Sequence, residues 1–428
     1  MDPEKALRDV KKAVEEHHRW MSRCLPMIAS ENVTSPAVRD MLPTDLAHRY
    51  AEGAPHERLY EGCEYIDEIE ITCVELAKEL FDAEHANVQP TSGVVANLAA
   101  LTALTEPGDK VAALRISDGG HISHREISAP GVRGLEVLTL PFDAEEMEID
   151  VDEALKLIET EEPEVVILGA SLFLFPHPVA EISDAVKTYD GKVIYDGAHV
   201  LGLIAGGTFQ DPLREGADVL TGSTHKTLPG PQGGIILCGK ELADAVDEAV
   251  FPGLVSNHHL HHVAGLAVAL AEFMIHGEEY AKATVENARK LGEALYEEGL
   301  EVLCPHKGFT RSHQVAVDVR KHGGGARVSE RLEKANIICN KNLLPWDDES
   351  ESDDPSGIRL GTQELTRLGM GPSEMEFVAE LIADVVLERR SLEAVREDVA
   401  ELREEFQEVE YGLGSGVGAH EWPRIADW

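Results

Sequence analysis

The sequence predicts an α/β protein, with a large domain on a mostly parallel sheet and a smaller C-terminal α+β domain. Three observations carry this. Six short apolar runs, KVAAL (110–114), LEVLTL (135–140), EVVILG (164–169), KVIYD (192–196), DVLTG (218–222) and GIILC (234–238), alternate with amphipathic stretches such as VDEALKLIETEE. Strands that alternate with helices build parallel sheets. At 428 residues the chain exceeds one ordinary core, so two domains are expected. Beyond about residue 270 the alternation gives way to a long helical pattern and a few scattered strands.

In chain order, residues 1–25 read as an N-terminal helical arm, with an amphipathic helix over 4–20. The large domain is expected over 26–270. It opens with LPMIASENVTSPAVRDML, which carries Ser30, Glu31 and Asn32, and continues into a Gly- and Pro-bent loop holding Tyr50, Glu52, Arg58, Tyr60, Glu64 and Tyr65. Loops dense in such groups often carry function, although Glu52 alone would pass for a surface acid. A helix over 68–81 follows. Thr91-Ser92-Gly93 then precede an apolar helix beginning near Val94. Hydroxyls and free N–H groups at a helix start suit an anion as well as an ordinary cap. Residues 271–428 are assigned to the small domain. Its expected elements are a helix over 271–299, a strand at 314–319, an acidic loop DDESESDDP, the run GIRLGT and one long helix over 373–409. Arg359, in a run with little charge around it, calls for a carboxylate partner.

Ligands of such sheets bind outside the carboxyl ends of the strands. Asp196 ends the run KVIYD, and Lys226 follows the next strand within TGSTHKTLPGPQGG (221–234). A strand-end acid and a lysine flanked by hydroxyls match the needs of pyridoxal phosphate (PLP): an acid for the pyridinium nitrogen, a lysine for the Schiff base, donors for the phosphate. A lone loop lysine is normally just solvated; its neighbours here reverse that expectation.

Composition narrows the function. With 38 basic against 79 acidic residues the formal charge is −41, which repels nucleic acid and anionic membrane. Glu-rich helix faces account for part of the excess, and a salt-rich interior would screen it. No apolar run reaches membrane-spanning length and the N-terminus lacks a signal-type apolar region, so a cytoplasmic protein is expected. The six cysteines are scattered without a C-x-x-C pair, as reduced thiols are. The run Asn257-His258-His259-Leu260-His261-His262 lacks an acid or cysteine at ligand spacing, so a helix start at a subunit contact is expected and no metal site. GLGSGVG near the C-terminus precedes no helical pattern and is set aside as a dinucleotide fingerprint.

Taken together, SENVTSPAV, YAEGAPHERLYEGCEYID, ANVQPTSG, DGGHISH, YDGAHVLGLIAGG, THKTLPGPQGG and GIRLGT resemble the serine hydroxymethyltransferases, in the family's order from about residue 26 to about 370. The resemblance implies a fold-type-I PLP-dependent transferase. It would move the serine hydroxymethyl group reversibly to a reduced pterin, tetrahydrofolate or tetrahydromethanopterin, through aldimine and quinonoid intermediates. It also implies a homodimer with shared active sites. Lys226 would hold the cofactor, Asp196 its pyridinium nitrogen, and His199 would lie beside its phenolic oxygen with His121 on the ring face. Ser92 and Gly93 would bind the phosphate with Tyr50 of the neighbouring subunit, and Ser171 and His225 complete the cofactor set. Thr224 and His225 would flank the lysine, Thr224 with a part in catalysis. Arg359 and Ser30 would bind the amino acid carboxylate. Glu52 would move a proton at the serine hydroxyl or the carrier, its protonation tuned by burial, and Tyr60 would assist exchange of the lysine for substrate.

Three departures stand out, and they resemble the archaeal branch. Val94 replaces a second hydroxyl, Leu59 replaces a tyrosine, and Ser256-Asn257 replace a glycine pair, each able to supply a phosphate donor. A threonine aldolase-like or racemase enzyme would use the same lysine, and a non-catalytic binding protein would be expected to lose some of Lys226, Asp196, His121 and Arg359.

Overall fold

The computed structural model describes residues 2–426. The large sheet has seven strands: β1 (His85–Asn87), β2 (Lys110–Ala113), β3 (Glu136–Thr139), β4 (Val165–Leu168), β5 (Lys192–Asp196), β6 (Val219–Ser223) and β7 (Gly234–Cys238), in the order β1-β7-β6-β5-β4-β2-β3. From β6 to β3 every pairing is parallel. β7 is antiparallel to both of its neighbours. The mostly parallel sheet expected from the alternation is present, and the edge strand β1 is too short to give a periodic signal. β4, β6 and β7 are buried along their whole length, as a sheet covered on both faces requires. Alternation splits the side chains between two cores: Val193, Tyr195 and Leu220 face one, Ile194, Val219 and Ile236 the other.

Helices cover this sheet and tie it to the C-terminal half. α1 (Pro3–Met21) is capped by Asp2, whose side chain accepts from the Glu4 N–H at 3.1 Å. α2 (Glu64–Phe81) starts earlier than the apolar pattern suggested. α3 (Gly93–Leu104) begins at Ser92, which accepts from the Val95 N–H at 3.3 Å. The helix expected over 271–299 is α4 (Leu260–Glu297), 38 residues long. It is apolar and long enough to cross a membrane, yet it lies between α2 and the C-terminal helices as the central core helix. The run Asn257–His262 falls at its start, as expected.

The C-terminal half carries an antiparallel sheet of β8 (Glu301–Val302), β9 (Gln314–Asp318), β10 (Asn340–Asn342) and β11 (Gly357–Gly361), in the order β8-β9-β11-β10. The short α5 (Gln363–Arg367) follows. The single helix expected over 373–409 is two: α6 (Pro372–Val386) and α7 (Leu392–Glu404). Glu388 has a positive φ of 56° and Ser391 caps the new start, accepting from the Ala394 N–H at 3.2 Å. The apolar period continues through the break and hides it. No helix follows Gly412–Gly418 among the described residues, and all six cysteines are unpaired.

The loop over 49–63 is pinned by one buried cation. The Arg58 side chain, 3% exposed, pairs with Asp67 at 2.8 Å and Glu70 at 2.6 Å, and donates to the Ala51 carbonyl at 2.9 Å. Glu70 also accepts from Gln89 at 2.7 Å and meets His258 at 3.0 Å. Removing one member of a buried pair strands the others without compensation. Arg58→Leu is therefore expected to cost about 3–5 kcal/mol of stability, read as a lower midpoint in denaturant unfolding; an unchanged midpoint would refute the pinning.

Candidate active site

The carboxyl end of β5 delivers Asp196 to the middle of the large sheet. Its Oδ2 accepts from Asn97 Nδ2 at 2.7 Å and meets His124 Nε2 at 2.8 Å, and its Oδ1 accepts from the Ala198 N–H at 2.9 Å. Burial works to raise this carboxyl. The hydrogen bond and charge of His124, with His121 and Asn97, outweigh burial and hold it well below the usual range. Asp196 is thus an ionised carboxylate in the interior. Gly169, at the end of β4, has φ 104° and lies so close that a Cβ would collide with the Asp196 carbonyl.

Lys226 lies three residues beyond β6. Its amine forms no hydrogen bond or ion pair with the described residues and is 8% exposed. Burial pushes it down to about 8, against the pull of Asp196 and with a small push from Arg359. Its backbone is held from the N-terminal segment: Asn32 Nδ2 donates to the Lys226 carbonyl at 2.7 Å and to Tyr280 Oη at 2.8 Å. Ser30, Asn32, His225 and Lys226 border a cleft of about 850 Å³ whose far walls are α1 and residues 419–423. Thr224 is buried, and its hydroxyl donates to the Pro231 carbonyl at 2.7 Å, closing the loop. His225 Nδ1 is buried without a partner, and burial with the nearby lysine lowers the ring to about 4.

The helix that would take an anion starts at the same edge. Ser92 caps α3, and a Cβ at Gly93 would collide with Ser223 Oγ. A side chain there would have to turn the Ser223 hydroxyl aside, so the glycine leaves the α3 N-terminus open beside the end of β6. His121 sits above Asp196, its Nδ1 accepting from the Ser123 N–H at 3.1 Å, with its ring edge-on to His124 at 5.8 Å. Burial, then His124, lower it to about 4. It is a neutral ring.

Arg359 comes from β11. Its Nη1 donates to the Ser171 carbonyl at 2.7 Å and to Ser171 Oγ at 3.0 Å, and its Nε to Asn340 Oδ1 at 3.1 Å. No carboxylate pairs with it among the described residues, and burial lowers it to about 10. His199 follows β5 and is held neutral by burial and by the charges of Lys226 and Arg359. Lys226, Asp196, His121, His199, Ser171 and Arg359 are one assembly, joined by these bonds and mutual charge effects.

The remaining expected residues form a second cluster. Tyr50 and Tyr60, both about half exposed, meet edge to face at 5.1 Å. Ser256 Oγ donates to the partly buried Glu52 carboxylate. Asn257 accepts from the Ala51 N–H and donates to the Arg49 carbonyl, both at 2.9 Å, so its amide is committed to the loop backbone. None of these five bonds to Lys226, Asp196 or Arg359.

Several groups at the centre went unread in the sequence. Asn97 is the only amide in the apolar run of α3, and it lies one and a half turns past Ser92, so an isolated polar residue on an apolar helix was the available signal. Its Oδ1 accepts from Thr221 Oγ1 at 2.6 Å. His124 was visible within DGGHISH, but nothing there tells it apart from His121. With Asp196 these two histidines form the group of potential metal ligands found among the described residues, and all three already belong to the floor of this site.

The residues fit pyridoxal phosphate: an unpaired buried amine, an ionised strand-end carboxylate, and an open helix start at Ser92-Gly93. Together with a mostly parallel sheet, they place the chain among the fold-type-I pyridoxal-phosphate enzymes. Among solved structures, L-threonine transaldolase from Pseudomonas fluorescens matches with a TM-score of 0.86 and 28% identity, over 95% of this chain and 94% of that one. A family model described as serine hydroxymethyltransferase matches residues 4–382. Proteins named serine hydroxymethyltransferase are 75% identical in Methanopyrus kandleri, covering 99% of both chains, and 57% identical in Methanocaldococcus jannaschii, covering 97% of both. The chain belongs to the serine hydroxymethyltransferase family.

Proposed function

We propose that this chain interconverts serine and glycine by passing the hydroxymethyl carbon to a reduced pterin, with pyridoxal phosphate held at Lys226. The observation that carries the reading is Arg359, a buried guanidinium with hydrogen-bonding partners but no counter-ion. It faces the same site as a lysine amine that burial lowers to about 8, so that it gives up its proton far more readily than an ordinary lysine. The cofactor, when bound, supplies an electron sink for the bond broken at Cα.

The chain's own residues do the rest. Arg359 grips the amino acid carboxylate with two parallel N–H groups, and Ser30 donates to the same carboxylate. Asp196, kept ionised by His124 and Asn97, keeps a proton on the ring nitrogen. His121 would lie against the cofactor ring, His199 would hold a proton at its phenolic oxygen, and Ser92, Gly93 and the α3 N-terminus would take its phosphate. Thr224 closes the lysine loop and His225 borders it. Tyr50, Glu52, Tyr60, Ser256 and Asn257 form a half-exposed face that each subunit of a homodimer presents to the other's site. There Glu52 moves a proton at the serine hydroxyl or the carrier, Tyr60 assists exchange of the lysine for the incoming amine, and Tyr50 and Ser256 reach the phosphate. Domains of 26–270 and 271–428 would put the lysine on one and Arg359 on the other.

The archaeal relatives make a methanopterin-type carrier the first to test. Glycine added with tetrahydromethanopterin or with tetrahydrofolate should produce a long-wavelength absorbance band with the true carrier. No band with either would turn the reading to a threonine aldolase-like or racemase activity.

A further inference from the structure

The first residue of β9 reaches the catalytic centre from the C-terminal sheet. Gln314 is fully buried, and its amide has fixed partners on both ends. The Phe173 N–H donates to its Oε1 at 2.8 Å, and its Nε2 donates to the Ser171 carbonyl at 3.0 Å. A backbone N–H can only donate and a carbonyl can only accept, so these two bonds settle which end of the amide is nitrogen. That nitrogen lies 2.9 Å from His199 Nδ1. An NH2 group offers only hydrogens, so Nδ1 must accept. In a neutral imidazole the proton then sits on Nε2, and Nε2 has no hydrogen-bond partner among the described residues.

We propose that Gln314 is a positioning residue that fixes the tautomer of His199, with Nδ1 as acceptor and the proton on Nε2, and couples it to Arg359 through the Ser171 carbonyl they share. This rests on the proposed reaction, in which His199 presents a proton to the cofactor's phenolic oxygen; the tautomer itself is a property of the fold. The Ser171 carbonyl accepts both from Gln314 Nε2 and from Arg359 Nη1 at 2.7 Å. Moving Ser171 therefore disturbs the carboxylate grip and the histidine together. The charged and titratable groups facing His199 are Lys226, Arg359, His313 and His121. His313 lies parallel to it at 5.8 Å and binds the Ala29 carbonyl at 3.0 Å through its own Nε2. Among the described residues no carboxylate hydrogen-bonds to the His199 ring, and the bond from Gln314 selects the proton position.

The test is nitrogen NMR of the holoenzyme with ¹⁵N-labelled histidine, the His199 signals being assigned by their loss in His199→Asn. In the wild type Nδ1 should show an unprotonated shift and Nε2 a protonated one across neutral pH. Gln314→Glu, isosteric but acceptor-only, should move the proton to Nδ1, and Gln314→Leu should leave a mixture of tautomers. Activity should fall on the order of tenfold or more in both variants, as when outer partners of a ligating histidine are lost. A wild-type Nδ1 that carries a proton overturns the proposal even if no variant folds. So does a Gln314→Glu enzyme with the wild-type nitrogen shifts. A wild-type Nε2–H in a protein that fails to cleave serine would leave the tautomer assignment standing and remove only the reaction.

Discussion

Lys226→Ala is expected to lower serine cleavage by about a thousandfold or more, the scale lost when a covalent and proton-transferring group is removed. Borohydride reduction of the wild-type holoenzyme should fix the cofactor's mass on the peptide carrying Lys226, and the variant should take up none. A variant that cleaved serine at the wild-type rate would end the assignment. The same substitution should act on stability with a definite sign. In the folded, cofactor-free chain the amine titrates near 8, below its ordinary value of 10.5. Between those values the unfolded chain holds a proton that the folded chain has released, so the wild type gains stability as pH rises through the window. Below about 8 the cost of a buried ammonium is present in full, and alanine removes it. Lys226→Ala should therefore stabilise the cofactor-free protein more at pH 7 than at pH 10. An equal effect at both would show that the lysine is not desolvated.

The sequence exposed most of this site because its parts sit at strand ends and helix starts, where local pattern and position coincide. β5 ends on Asp196 and β7 runs from Gly234 to Cys238, both at the bounds their apolar runs suggest. Arg359 stood out because a guanidinium in an apolar strand needs a partner. What stayed hidden depends on contacts between elements far apart in the chain. Asn97 gains its meaning only when α3 lies across β5 and β6. Gln314 read as the polar start of a strand, and only the approach of β9 to Ser171 and His199 gives it a function. The break between α6 and α7 escaped for the opposite reason: a strong apolar period ran through a cap that only the backbone reveals.

Arg359→Leu should raise the KM for serine steeply while leaving the fold intact, and the combination is what distinguishes a substrate clamp from a structural ion pair. A desolvated charge-assisted pair lost on one side costs about 2–5 kcal/mol, which is about 30-fold to a few thousandfold in kcat/KM. In the cofactor-free protein the guanidinium bonds, among the described residues, only to the Ser171 carbonyl and hydroxyl and to Asn340 Oδ1. Removing it strands no buried carboxylate, unlike the loss of Arg58 from Asp67 and Glu70. The Ser171 carbonyl keeps its bond from Gln314. Replacing an uncompensated buried charge with an apolar side chain of smaller bulk is neutral or stabilising. The thermal midpoint of the substrate-free variant should accordingly stay level or rise, and added serine, which shifts the wild-type midpoint by mass action, should no longer move it. A falling midpoint with an unchanged serine KM would make Arg359 part of the framework and leave the carboxylate to another group. Arg359→Lys sharpens the test: it keeps the charge but loses the two-pronged grip, so its KM should lie between wild type and leucine.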